Sequence, residues 1–166
     1  MTKSSKTASK SGLISTGEVA RNRRAHFDYT IRETFEAGIV LMGTEVKSLR
    51  HGLCTLTEAY AGRMVDSGDV WIYNMYIPEY QSRSAFSHQP RRPRKLLLRR
   101  REAQKILGSI ARQGCSLVPI SLYFNARGLA KVNLGLGVGK KKVDKRQTIK
   151  EREWGRQKQR VLRNQD

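Results

Sequence analysis

The sequence predicts a mainly β protein with short helices, its strands closed into a small antiparallel β-barrel that carries basic extensions at both ends. Three observations predict this. Apolar residues alternate with a period of two over several short stretches, as in strands buried on one face. Only one stretch has a clear helical apolar period. The strand-like segments are short and bounded by Gly-rich turns, and closure is what removes the exposed edges such strands would leave. At 166 residues the chain is long enough for one domain with a sizeable core.

Residues 1–17 are rich in Ser, Lys and Thr, lack apolar periodicity, and read as a disordered basic arm. The domain is expected to span 18–138. From Phe27 to Gly43 a strand pattern runs through Phe27, Tyr29 and Ile31, with a bend expected at Gly38 before Ile39–Met42. Val46 and Leu49 then mark one face of a short helix that Gly52 closes. Tyr60–Val65 and Val70–Tyr73, separated by DSGD, predict a hairpin. Ala103, Ile106, Leu107, Ile110 and Ala111 share one face of the clear helix, which Gly114 stops. Val118, Ile120, Leu122 and Phe124 alternate strictly, as do Val132, Leu134, Leu136 and Val138, with NARG as the turn between them. Gly135, Gly137 and Gly139 lack the strand-loop-helix context of a phosphate loop and predict a bend or a close backbone approach. Beyond Gly139 the alternation ends. The tail, 139–166, holds only Val143, Ile149, Trp154, Val161 and Leu162 as apolar groups, too few to hold a free helix in water. It is expected to be disordered alone and helical on a partner.

The formal net charge is +19 with a pI near 10.6, a potential that attracts polyanions. Counted by segment, residues 1–26 carry +5 and residues 139–166 carry +7. The remaining +7 equals the charge of Arg91–Lys105 alone, so the rest of the domain is neutral. In RRPRKLLLRRR, Arg91–Arg101, arginine forks suit phosphate oxygens while Leu96–Leu98 anchor the strip. Trp71, Tyr73, Tyr76, Tyr80, Tyr123 and Phe124 read as core residues or as stacking platforms for unpaired bases. Composition alone therefore implies a nucleic-acid-binding barrel with basic tails.

Enzymatic chemistry has little support. Cys54 and Cys115 read as reduced, buried small hydrophobes, and neither they nor His26, His51 and His88 have metal-ligand spacing. No nucleophile elbow or phosphate loop is present, so no catalytic residue, cofactor or metal is expected. Glu36 and Glu45 leave a small nuclease open, against simple ion pairing with the nearby Lys47 and Arg50. With no signal-like apolar run and no 18-residue apolar stretch, a cytoplasmic monomer without membrane contact is expected. A ribosomal protein or other structural RNA-binding protein is the alternative by composition.

Specific strings carry a family resemblance. NRRA from Asn22, FEAGIVLMGTEVKSLR from Phe35, RKLLL from Arg94, LVPISLYF from Leu117, AKVNLGLGVGKKKVDKR from Ala130 and IKEREW from Ile149 appear in the order and spacing of the small protein B family. These are the tmRNA-binding (SsrA-binding) proteins of bacterial trans-translation. The resemblance covers about residues 18–156. It implies an oligonucleotide-binding-like barrel that grips the tRNA-like domain of tmRNA. It also implies a tail that enters the empty mRNA channel of a stalled ribosome, so that the incomplete peptide is tagged for degradation. By motif position, Asn22, Glu36, Leu97 and Lys131 are implied as tmRNA-binding. Asp144, Lys145 and Arg146 are implied to meet ribosomal RNA at the decoding centre, and Ile149 and Trp154 to anchor the tail in the channel. The chain departs from the pattern at Val143, where an aromatic residue or His commonly precedes DKR, and at Phe27, where a His usually stands.

Overall fold

The structure is a computed structural model that describes residues 12–64, 68–80 and 87–163. In chain order its elements are β1 (Gly17–Arg21), α1 (Ala25–Asp28), β2 (Tyr29–Ile39), α2 (Gly43–Arg50), β3 (Tyr60–Arg63), β4 (Val70–Tyr73), β5 (Arg94–Leu97), α3 (Arg100–Gln113), β6 (Ser116–Phe124), β7 (Ala130–Gly139) and α4 (Lys142–Arg163). The strands form one antiparallel sheet. Its order runs from β6 through β3, β4, β5, β2 and β7 and returns to β6, so the pairings make a ring, with β1 added along the outer half of β6.

Inside the ring lie Ala37 and Ile39 of β2, Ala61 of β3, Ile72 of β4, Leu96 of β5, Leu117 and Leu122 of β6, and Val132, Leu134 and Leu136 of β7. Leu49 of α2 and Ile106 of α3, both fully buried, complete this core. Both helices stop as the sequence predicts: Gly52 at φ +75° follows α2, and Gly114 at φ +59° caps α3. Ala111 lies off the buried face of α3 and is exposed. The β3–β4 hairpin forms in the expected register, Tyr60 opposite Tyr73. Val65 to Ser67 of that prediction and the arm up to residue 11 lie outside the described residues.

Three local expectations change. Phe27 is not on a strand: it belongs to α1, whose first turn is set by the Asn22 carbonyl accepting from Ala25 N at 3.3 Å. Gly38 does not bend the chain. It stays in register with Leu97 on one side and Lys131 on the other, and a Cβ there would lie 3.2 Å from Leu97 Cβ. On β6 the alternation changes phase at a register shift between Pro119 and Ser121. Leu117 thereby joins Leu122 and Phe124 in the core, whereas Ile120 reaches the space over Gly135 beside Ile31. The glycine reading itself holds: a Cβ at Gly137 would collide with the Thr30 carbonyl and come within 3.0 Å of Ile31 Cα. These glycines let β2 and β7 approach closely.

The tail is tied to the domain. It continues β7 as the exposed helix α4, rooted on α1 by polar contacts across more than a hundred residues of sequence. Lys140 N donates to the Asp28 carbonyl at 2.8 Å, and Lys145 Nζ pairs with Asp28 Oδ1 at 2.8 Å. Asp144 Oδ2 accepts from Lys141 N at 3.3 Å in the first turn, where a carboxylate complements the helix dipole. This anchor is ionic and non-local, so apolar content carries no sign of it.

One buried ion pair joins α2 to β5. Glu45 and Arg94 are both fully buried, with Arg94 Nε donating to Glu45 Oε1 at 2.7 Å and Arg92 Nη2 donating to Oε2 at 2.5 Å. Glu45 therefore pairs with neither Lys47 nor Arg50, the partners its sequence neighbourhood suggested. Burial would raise its pKa, but the Arg92 and Met42 N–H donors and the Arg94 charge outweigh that and hold it below 4.5. A depressed carboxylate stabilises the fold above its unfolded value and loses that contribution as pH falls through its folded value. We predict that Glu45→Gln, which leaves Arg94 buried without a counter-charge, costs about 3–5 kcal/mol in urea unfolding at neutral pH. The difference from wild type should shrink as pH falls below 4.5. A difference independent of pH would show that the carboxylate charge is not what stabilises the fold.

Candidate nucleic-acid interface

Strand alternation sends Ala37, Val132 and Leu122 inward, so their neighbours Glu36, Lys131 and Tyr123 stand on the outer surface of β2, β7 and β6. There they meet. Lys131 Nζ lies 3.4 Å from Glu36 Oε1, and the Tyr123 hydroxyl donates a short hydrogen bond to Glu36 Oε2. Leu97 joins the same surface from β5: Lys131, Gly38 and Leu97 form one row across β7, β2 and β5. Leu97 is 55% exposed although apolar, and the missing side chain at Gly38 leaves the centre of the row low. Three of the four tmRNA-contact residues implied by the resemblance thus converge from 36 to 131 in sequence.

The electrostatics of this face follow from its hydrogen bonds. The Tyr123 hydroxyl lowers the Glu36 pKa most; burial opposes it, and Lys131 lowers it further. Burial, then the adjacent Glu36 carboxylate, pushes the Tyr123 phenol up to about 12. At neutral pH the face therefore presents an ionised carboxylate with lone pairs to spare and an ammonium with donors to spare, next to an apolar platform. A carboxylate accepts from base amines or 2′-hydroxyls, and an ammonium contacts phosphate. Tyr123 appeared in the sequence only as a possible stacking aromatic. Its service to Glu36, 87 residues away, has no local signal.

Asn22 is placed differently. It is 5% exposed, its Nδ2 donates to the Leu56 carbonyl at 3.3 Å, and its Oδ1 accepts from Arg24 N at 3.2 Å. Its side chain holds the turn that presents Arg23 and Arg24 rather than standing on the Glu36 face. The tail residues are set along α4. Asp144 and Arg146 are exposed, Lys145 is half-buried on Asp28, and Ile149 and Trp154 are exposed, the latter by 71%.

The arginine strip needs correction. It does not form one free cationic surface: Arg94 and Arg92 serve Glu45, Lys95 pairs with Asp69 at 2.7 Å, and Arg91 approaches Glu58 at 3.4 Å. Of the aromatics, Phe124 is core, whereas Tyr76 is 37% exposed under the Arg91 guanidinium. Tyr60, not singled out from sequence, is 49% exposed and stacks on Tyr73. The nuclease alternative lacks its pair, because Glu45 is buried and Glu36 lies on the outer face with different partners. Among the described residues no His, Cys, Asp or Glu cluster fits a metal ion, and no helix is long and apolar enough to cross a membrane. Both cysteines are free thiols, and burial pushes Cys54 up to about 12.

A ring of antiparallel strands with a polar outer face, extended by a cationic helix, defines a basic polyanion-binding protein. The chain belongs to the SmpB family: the family described as SmpB protein matches residues 19–164. It is 58% identical over 153 residues to the SsrA-binding protein of Rhodospirillum rubrum, covering 92% of this chain and 94% of that protein. The SsrA-binding protein of Gluconacetobacter diazotrophicus is 56% identical over 152 residues, with 92% and 97% covered. A solved structure described as "tmRNA-SmpB: a journey to the center of the bacterial ribosome" contains a chain 48% identical to this one. It superposes with a TM-score of 0.61 over 77% of this chain and 86% of its own.

Removing the Tyr123 donor tests the face directly. In Tyr123→Phe the Glu36 pKa is expected to rise toward 4.5, measured by side-chain carboxyl NMR titration. An unshifted Glu36 would mean that the phenol does not hold the carboxylate.

Proposed function

We propose that this chain binds the tRNA-like domain of tmRNA, the SsrA RNA, and delivers it to stalled ribosomes for trans-translation. The tail occupies the empty mRNA channel while the incomplete peptide is tagged for degradation. The observation that carries this reading is the alignment of SsrA-binding proteins over more than nine-tenths of the chain, with the family match running from 19 to 164. The strand ring acts as an oligonucleotide-binding-like barrel. Its outer face supplies Glu36 as acceptor, Lys131 as phosphate contact and Leu97 as apolar platform, and Asn22 acts through the arginines it positions. The protein works in the cytoplasm as a monomer, without cofactor or metal, and catalyses no reaction.

Two features support a separate role for the tail. Its apolar groups, Ile149 and Trp154, are exposed along α4 and gain burial only on a partner. Its DKR segment, Asp144, Lys145 and Arg146, lies at the root of the helix, where the domain ends. In this reading the segment meets ribosomal RNA near the decoding centre, and the channel holds the helix beyond it.

Glu36→Ala and Lys131→Ala are each expected to weaken tmRNA binding by about 1–3 kcal/mol in filter or fluorescence titrations, with unfolding midpoints near wild type. Wild-type affinity in both would remove them from the interface. Truncation after Gly139 should leave tmRNA binding intact and abolish tagging on stalled ribosomes. Full tagging by the truncated chain would deny the tail its role.

A further inference from the structure

Asp144, Lys145 and Arg146 open α4, and the fold gives their side chains three different surroundings. Asp144 Oδ2 accepts from Lys141 N at 3.3 Å, satisfying one of the amides that the first turn of a helix leaves unpaired. Lys145 Nζ donates to Asp28 Oδ1 at 2.8 Å and lies 5.9 Å from the centre of the Phe27 ring. Arg146 is exposed, and no described carboxylate pairs with it. Only the last of the three is left facing outward with its charge unmatched.

The partner of Lys145 comes from an element with acceptors to spare. α1 is a single turn of four residues, and its last carbonyls have no donors within the helix. The root of the tail supplies donors: Lys140 N reaches the Asp28 carbonyl at 2.8 Å, and Lys140 Nζ reaches the His26 carbonyl at 3.1 Å. The Asp28 carboxylate adds a third acceptor, for Lys145. That pair is partly shielded, with side chains 34% and 26% exposed, and is therefore screened less than an open surface pair. Asp28 Oδ2 also faces Arg24 Nε at 3.7 Å, so the carboxylate keeps a counter-charge within its own domain if the tail leaves. The pair matters less to the domain than to the tail. Lys145 N closes the first turn of α4 on the Lys141 carbonyl, and Trp154 lies nine residues beyond, about 14 Å along the axis. A change of angle at the root therefore moves Ile149 and Trp154 together.

We propose that Asp28 and Lys145 are positioning residues: their pair fixes the direction in which the tail leaves the RNA-binding domain. Asp144 completes the root by closing the first turn, and Arg146 is the member of the triplet that meets ribosomal RNA. This rests on the trans-translation reading above and divides among three residues a role that reading gave to the triplet as a whole.

A charge-exchange series in the full-length chain tests this, read as the rate of peptide tagging on stalled ribosomes. Lys145→Asp sets a like charge against Asp28 and is expected to slow tagging about tenfold, with tmRNA affinity near wild type. Asp28→Lys/Lys145→Asp restores an opposite pair and should recover most of that rate. Arg146→Asp should also slow tagging, but Asp28→Lys should not rescue it. If the exchanged pair tags no better than Lys145→Asp alone, Lys145 meets RNA itself and the proposal falls. Rescue of Arg146→Asp by Asp28→Lys would reduce the effect to net charge and overturn it equally. Asp28→Asn gives a second measurement that does not depend on the ribosome. Its unfolding midpoint should stay near wild type, while backbone 15N relaxation over Lys145–Trp154 shows faster motion relative to β7 than in wild type. Identical relaxation in the two proteins would mean that the pair does not hold the tail. A wild-type chain that tags no peptide on stalled ribosomes would instead overturn the trans-translation reading itself.

Discussion

The buried Glu45–Arg94 pair is the constraint on which the arrangement of this molecule depends. Arg94 uses Nε on Glu45, Nη1 on the Met75 and Arg92 carbonyls and Nη2 on the Pro90 carbonyl, while Glu45 also accepts from Met42 N. A buried charge pair is tolerated only when its remaining donors and acceptors are satisfied in this way. The pair ties the start of α2, strand β5 and the segment between β4 and β5 into one unit. Because β5 lies beside β2, that unit also sets Leu97 next to Gly38, and hence the platform next to Glu36 and Lys131.

The same pair decides what the charge is for. The fold consumes part of its arginine strip and leaves the rest on α3 and the tail. The chain thus separates cations that hold its own elements together from cations available to a polyanion, although both kinds lie side by side in sequence. Lys145 is an intermediate case: as a DKR residue it belongs to the tail, but on the free protein it rests on Asp28 and beside the Phe27 ring. Phe27, on α1 instead of a strand, is in the right place to shape the root of α4.

Local patterns read well where one interaction dominates. Period-two stretches became strands, the one 3.6-period stretch became α3, and Gly52 and Gly114 ended helices in left-handed conformations. Gly137 was legible as a close approach because only a bare backbone permits one. What misled was a pattern interrupted by partners elsewhere. The shift between Pro119 and Ser121 on β6 changes which residues face inward, and Gly38 serves its neighbours Leu97 and Lys131 rather than a bend. Motif resemblance placed Glu36, Leu97 and Lys131 on one list; it did not distinguish them from Asn22, whose amide is spent inside the turn.

By itself the sequence determined most of the strands, helices α2 and α3, and the division of positive charge into arm, strip and tail, because these depend on residue type and short-range spacing. Only the tertiary structure decided which charges are neutralised. Glu45 chose Arg92 and Arg94 from 47 and 49 residues away over Lys47 and Arg50 nearby, and Glu36 chose Tyr123 from 87 away. Coulomb attraction and hydrogen bonding act on distance in space. Helix spacing sets neighbours along the chain, but strand pairing sets neighbours across it, and that is where this protein assembles both its internal ion pair and its outer face.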